Sequence, residues 1–125
     1  MLELLNNVLT DSVKTLFIII VIVLVMEMVS GVLKAIKNKN LDSTKFREGL
    51  MTKSGYFLQI GLCLLVSMFI NMPYLLYADL VWIACSEAVS VLENLAELNV
   101  PFPNFLKEIL EKTKKITEDE MNENK

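Results

Sequence analysis

Polar side chains that interrupt or directly follow three long apolar runs are the residues of this 125-residue chain best placed to do chemistry. The chain has no histidine, which excludes His-based metal sites, Ser-His-Asp triads and Cys-His dyads. It also has no Gly-rich phosphate loop and no cluster of metal ligands, so we expect no catalytic residues, no metal and no cofactor. The chemistry left is charge pairing, hydrogen bonding and contact with water in an apolar setting. The residues that could do it are Glu27, Ser30, Lys34, Gln59, Ser67, Asp79, Ser86, Glu87 and Ser90.

The composition indicates that this setting is a lipid bilayer. Hydrophobic residues make up 54% of the chain, and the mean hydropathy is +0.48. A soluble domain this short exposes much of its surface and must keep that surface polar. The net charge of -3 gives no reason to expect nucleic-acid binding, which needs a surplus of basic side chains. The chain is therefore predicted to be a small membrane protein.

Each of the three apolar runs is long enough to cross a bilayer. They cover residues 16–33, 56–72 and 74–92, and a spanning helix needs about 20 mostly apolar residues. The third run carries Asp79 and Glu87. A carboxylate at the centre of a spanning helix raises the free energy of membrane insertion by about 2.5–3.5 kcal/mol. Pro73 suits the first turn of a new helix, so the second and third runs should form a tight hairpin. The predicted fold is an all-α membrane protein whose three transmembrane helices occupy residues 16–92.

Charge asymmetry predicts how the chain is oriented. Basic residues concentrate between the first and second runs and again after the third. The positive-inside rule places both segments in the cytoplasm, and three spans then place the N-terminus outside. Residues 1–15 have helical apolar spacing and should form an amphipathic segment on the outer surface. Residues 93–125 should form a cytoplasmic helical tail, with an amphipathic helix from Asn104 and a disordered stretch from about Thr117.

The polar residues of the third run share one face of its helix. At about 100° per residue, Asp79 aligns with Ser86, Ser90 and Glu93. One interpretation is that these groups bond to one another or to the other helices as polar contacts within a bundle, with Glu27 close to Lys34 on the first helix. The other is that the acidic stripe faces water once several subunits assemble, so that these residues line a pore or an oligomer interface.

Three segments resemble a known family, the small phage lysis holins, a group that also includes toxin-secretion holins of Gram-positive bacteria. Residues 27–35 are similar to the acidic-x-x-small-Gly-x-x-Lys-Ala signature that closes the family's first helix. Residues 41–53 resemble its basic loop, and residues 87–103 resemble its Glu-x-x-Ser-x-x-Glu-Asn segment with a Pro-x-Pro turn. Outside the polar set named above, the motif residues are Gly31, Ser43, Gly49, Lys53, Glu93, Asn94, Pro101 and Pro103.

The resemblance implies a function that composition alone only permits. Holins collect in the bacterial cytoplasmic membrane, oligomerise, and open lesions that release a cytoplasmic endolysin for host cell lysis or export a large protein toxin. The partners implied are therefore further copies of the chain and the lipid bilayer, with a functional link to an endolysin or toxin. Two alternatives from the residues alone are a small accessory subunit of a larger membrane complex and a narrow ion channel.

Overall fold

The computed structural model describes residues 1–123 and has no strand among them. Its five helices are α1 (Leu2–Val8), α2 (Asp11–Lys37), α3 (Ser43–Ile70), α4 (Pro73–Glu97) and α5 (Asn104–Glu123). By length and composition, α2, α3 and α4 could each cross a membrane. The prediction of an all-α protein with three membrane-length helices is confirmed.

Local sequence signals set the ends of these helices. The Thr10 hydroxyl accepts a hydrogen bond from the Val13 amide and caps the start of α2, and Asp42 caps α3 by accepting from the Thr44 amide. The α3 helix ends at Asn71, whose φ of 52° is left-handed, and Pro73 then opens α4. The chain therefore reverses within two residues between α3 and α4, as a helical hairpin requires.

The helices extend beyond the apolar runs that predicted them. Residues 11–15 belong to α2, so the predicted surface segment 1–15 is divided between α1 and the first turn of α2. Lys45, Arg47 and Lys53 lie on α3, because the short helix that Asp42 or Ser43 is expected to cap toward Lys53 does form and continues without a break into the second apolar run. Residues 117–123, expected to be disordered, continue α5 instead. The last two residues of the predicted tail 93–125 lie outside the described residues.

The α4 helix occupies the centre of the bundle. It packs on α2, α3 and α5, and α1 crosses the end where α3 and α4 join. The apolar core lies toward that end and contains Val8, Val13, Ile20, Leu24, Leu76, Leu80 and Ile83. Because α1 contributes the fully buried Val8 to this core, it is anchored to the bundle through that side chain.

The outer faces of α2 and α3 are apolar and uncovered. Large aliphatic and aromatic side chains recur there at helical spacing, and Phe69 is 90% exposed. A water-facing helix would not carry such a surface, whereas a lipid-facing helix requires it. The α2 face carries Ile18, Ile22, Val25 and Val29, and the α3 face carries Leu58, Leu62, Leu65 and Phe69.

Candidate functional site

A buried cluster of three charges joins α2, α3 and α4. The Lys53 ammonium on α3 lies 2.6 Å from a Glu27 carboxylate oxygen and 3.3 Å from a Glu87 carboxylate oxygen. The side chain of Lys53 is only 12% exposed, against 22% for Glu27 and 7% for Glu87. One ammonium therefore holds two carboxylates, and the cluster keeps a formal charge of -1 inside the bundle.

A second polar cluster, centred on Asn94, joins α2 to α4. The Asn94 side-chain amide donates to the Ser30 hydroxyl at 3.0 Å, and its oxygen accepts from the Lys34 ammonium at 3.4 Å. Lys34 also lies 3.2 Å from the Glu97 carboxylate, and Lys37 donates to the Glu97 carbonyl at 2.6 Å. A Cβ on Gly31 would sit 3.7 Å from the Asn94 amide nitrogen, so a side chain larger than alanine would press on this network.

A third polar contact lies nearer the α3–α4 hairpin. The Gln59 amide donates to one Asp79 carboxylate oxygen at 2.6 Å. The other Asp79 oxygen is buried without a hydrogen-bond partner among residues 1–123. Burying a carboxylate oxygen that has no hydrogen-bond donor is unfavourable. At Asp79 the bundle therefore leaves one buried acceptor without a partner among residues 1–123.

The remaining serine hydroxyls of the predicted set differ in whether they have a hydrogen-bond partner. Ser90 donates to the Ser86 carbonyl within α4. The Ser86 and Ser67 hydroxyls are buried and have no partner in the described part of the chain. These serine hydroxyls therefore lie inside the bundle but form no hydrogen bond between its helices.

The ion pairs and polar contacts form a ladder along the seam between α2 and α4. We use "ionic ladder" for Glu27, Ser30, Lys34, Lys53, Glu87, Asn94 and Glu97. Ser30 meets Asn94 and Lys34 meets Glu97, so α2 and α4 run parallel, whereas the Lys53–Glu87 and Gln59–Asp79 pairs make α3 antiparallel to α4. With a rise of 1.5 Å per residue, Asp79 lies about 9 Å, Glu87 about 21 Å and Asn94 about 32 Å from the start of α4.

The α5 helix covers another side of α4. Lys107 lies 3.8 Å from Glu93, and the Lys114 ammonium lies 5.0 Å from the centre of the Trp82 ring. The contacts run backwards along α4, so α5 folds back alongside this candidate span as an antiparallel helix. Its inward face is formed by Lys107, Leu110, Lys114, Thr117 and Met121.

The apolar side predicted for α5, formed by Phe105, Leu106, Ile109, Leu110 and Ile116, packs only in part, because Leu110 alone of these five lies on the inward face. Phe105, Ile109 and Ile116 are at least half exposed, while Thr117 is buried. The face of α5 that packs meets the ring of Trp82 and the carboxylate of Glu93 on α4. The apolar residues of α5 are left as a separate exposed stripe, beside a charged flank that includes Glu111, Lys112, Lys115 and Glu118.

The structure brings together most, but not all, of the predicted site residues. Ser30 and Lys34 join through Asn94, while Gln59 and Asp79 form their own pair. Glu27 pairs with Lys53 rather than with Lys34. Of the motif residues, Ser43 begins α3, Gly49 lies in its second turn, and Pro101 and Pro103 lie between α4 and α5.

The partner that the sequence reasoning missed is Lys53. It lies before the second apolar run, in the basic segment where a short separate helix is expected, yet it extends the spacing of the packed face of α3 backwards from Tyr56, Ile60 and Cys63. A helical register continued by one turn would have placed it on that face. Among residues 1–123, no group of three or more histidine, cysteine or acidic side chains is arranged to hold a metal ion.

Comparison with known proteins gives one match. A family model described as the bacteriophage holin family matches residues 5–115, which include the whole ionic ladder. Neither the curated proteins nor the solved structures contain a match to the chain.

Proposed function

The chain belongs to the bacteriophage holin family and is a multi-pass membrane protein, and from that premise we propose that it oligomerises in the bacterial cytoplasmic membrane and opens lesions there. Through these lesions a cytoplasmic endolysin reaches the cell wall, or a large protein toxin leaves the cell. The family is one of membrane pore formers rather than of enzymes. Assembly and rearrangement, not bond chemistry, are then the work of the ladder residues.

The ionic ladder is the observation that carries this proposal. In a single chain the Glu27–Lys53–Glu87 cluster and the Ser30–Asn94 contact lie between the membrane-length helices, while the outer faces of α2 and α3 are apolar. One subunit can therefore rest in lipid with the charges of the ladder held between its helices. A lesion wide enough for a protein needs a polar wall, and the ladder is polar surface that separating helices could supply.

Orientation in the membrane follows from the basic residues near the α2–α3 connection. Lys37, Lys39, Lys45 and Arg47 lie at that end of the bundle, which the positive-inside rule assigns to the cytoplasm. The α3–α4 turn and the N-terminus then lie outside. The Asn94 cluster sits near the cytoplasmic face, and Asp79 sits toward the outer face.

The charged residues of α5 indicate which side of α4 faces water. Its charged flank is unsuited to hydrocarbon, yet α5 lies along α4 from Glu93 to Trp82. On the side of α4 that α5 covers, the neighbouring medium is therefore water and not lipid. In an oligomer, this side is the one that borders an aqueous lumen, with the charged flank of α5 as its lining.

Expression of the chain alone in bacteria tests the proposal. We expect the membrane potential, followed with a voltage-sensitive dye, to collapse after a delay, and a cytoplasmic reporter enzyme to appear in the medium. Crosslinking before the collapse should give a series of multimers. Retained potential with co-purification of one dominant partner would favour an accessory subunit, and loss of potential without reporter release would favour a narrow ion channel.

Glu87 gives a variant that addresses the ladder directly. Glu87→Gln removes one charge of the buried cluster and leaves a neutral Lys53–Glu27 pair, so we expect the onset of collapse to shift. Glu3→Gln removes a charge from an exposed position of α1, outside both the ladder and the flank of α5, and serves as a matched control for total charge. An onset that is the same for both variants and the parent would remove the ladder from the mechanism.

A further inference from the structure

A cavity of about 330 Å³ opens at the end of the bundle where α2 connects to α3. It is bounded by the last turns of α2, the connection 38–42 and the first turns of α3. This end carries the basic residues and lies where membrane-length helices leave the hydrocarbon. The cavity is therefore placed at the level of lipid headgroups.

The walls of the cavity are amphipathic. Apolar side chains line one part, namely Met28, Val32, Leu41, Phe46 and Leu50. Polar and charged groups line another, namely the amides of Asn38, Asn40 and Asn94, the lysines Lys34, Lys45 and Lys53, and the carboxylates of Glu27 and Asp42. A ligand that satisfied both parts would have a polar, hydrogen-bond-accepting end and an apolar end.

Three basic side chains at or beside the cavity have no carboxylate partner among residues 1–123. Lys53 is held by Glu27 and Glu87, and Lys34 is held by Glu97. Asp42 uses its carboxylate to cap α3. Lys45 makes no ion pair within residues 1–123, and neither do the nearby Lys39 and Arg47.

Gly49 keeps part of this space open. It lines the cavity, and a Cβ built on it meets nothing within 4 Å. A larger side chain there would project into empty space without striking the backbone. Gly55, one and a half turns further along α3, also has open space at its Cβ but does not line the cavity.

From these features we propose that the cavity binds one anionic phospholipid. The lipid phosphate lies against Lys45 and the amides of the α2–α3 connection, and the start of an acyl chain lies against Phe46 and Leu50. The unpaired Lys45, with Lys39 and Arg47 nearby, favours an anionic headgroup, because these bases would repel the cation of a zwitterionic one. The site depends on the chain being a multi-pass membrane protein and is independent of lesion formation.

Lipid retention by the purified full chain tests the site. Native mass spectrometry of the protein released from micelles would count bound lipid after titration with phosphatidylglycerol or with phosphatidylcholine. We expect one phosphatidylglycerol to bind in preference to phosphatidylcholine. Gly49→Leu should weaken that first binding event by about tenfold or more because it fills the cavity, while Gly55→Leu should match the parent.

A second variant separates the headgroup from the fold. Lys45 is exposed, so Lys45→Gln should fold normally and weaken phosphatidylglycerol binding by about fivefold, with phosphatidylcholine binding unchanged. Lys14→Gln, at the opposite end of α2, is its control.

Three results would overturn the proposal. These are unchanged lipid binding in Gly49→Leu, an equal loss in Gly55→Leu, and complete displacement of the lipid by millimolar glycerol phosphate. The last would assign the cavity to a soluble phosphate compound. Because lipid counting needs no lesion, a negative result here leaves the holin proposal standing, and failure of that proposal leaves this one intact.

Discussion

Replacing Lys53 with methionine would leave two buried carboxylates without their cation. The Glu27 and Glu87 oxygens lie 2.6 Å and 3.3 Å from the lysine ammonium, and methionine keeps the volume of the side chain while removing its charge. The loss is therefore electrostatic rather than one of packing. The carboxylates would also repel each other across the space that the ammonium now fills.

The burial of the three side chains sets the size of the effect. Removing one member of a buried ion pair costs roughly 3–5 kcal/mol of folding free energy, because an uncompensated charge stays behind. Glu87 is 7% exposed and Lys53 is 12% exposed, so the full cost applies to that pair. Glu27 is 22% exposed and can regain some water. We therefore expect Lys53→Met to lower the free energy of unfolding by about 3 kcal/mol.

Titration of the micelle-bound protein with a denaturing detergent, followed by circular dichroism, would measure this change. Arg47→Met, on an exposed position of the same helix, should stay within about 0.5 kcal/mol of the parent. Adding Glu87→Gln to Lys53→Met should recover at least about half of the loss, because only Glu27 would then remain charged. A Lys53→Met variant as stable as Arg47→Met would refute the view that this cluster holds the bundle together.

Three further predictions concern other parts of the bundle. Asn94→Ala should lower unfolding stability by about 1–3 kcal/mol in the same titration, since it leaves the buried Ser30 hydroxyl without its donor. Asp79→Leu removes an orphaned carboxylate oxygen, so stability should hold or rise while the onset of membrane-potential collapse shifts; a parental onset would contradict its role. Lys114→Gln removes the cation above the Trp82 ring and should cost about 0.5–1 kcal/mol, with faster hydrogen exchange in α5 as its signature; exchange at the parental rate would show that the contact does not hold α5.

The three membrane-length helices of this fold are predictable from local sequence, because each contains a long run of mostly apolar residues. Pro73 and Asn104 mark helix starts by their backbone preferences, and both signals are borne out. The acidic stripe of α4 could likewise be located from helical spacing alone. These features depend on neighbours within a few residues, where propensity and periodicity act.

The choice of partners could not be predicted in the same way. Glu27 is within two turns of Lys34, yet it pairs with Lys53, which is 26 residues away along the chain. That choice depends on the register of α3 against α2, which is set by the α3–α4 hairpin and by packing around α4. The docking of α5 through Lys114 rather than through Ile109 and Ile116 has the same origin. Such contacts are properties of the whole bundle.

The seam between α2 and α4 is also uneven in how it can come apart. Near the α3–α4 turn the seam is packed with Ile20, Leu24, Leu76 and Leu80. Separating these side chains would expose apolar surface to water, which is unfavourable. Near the α2–α3 connection it is closed by ion pairs and amides, which water can replace bond for bond. Water would therefore enter from the ionic end first. The two helices would separate at that end while they stay in contact at the apolar core, which would act as a hinge.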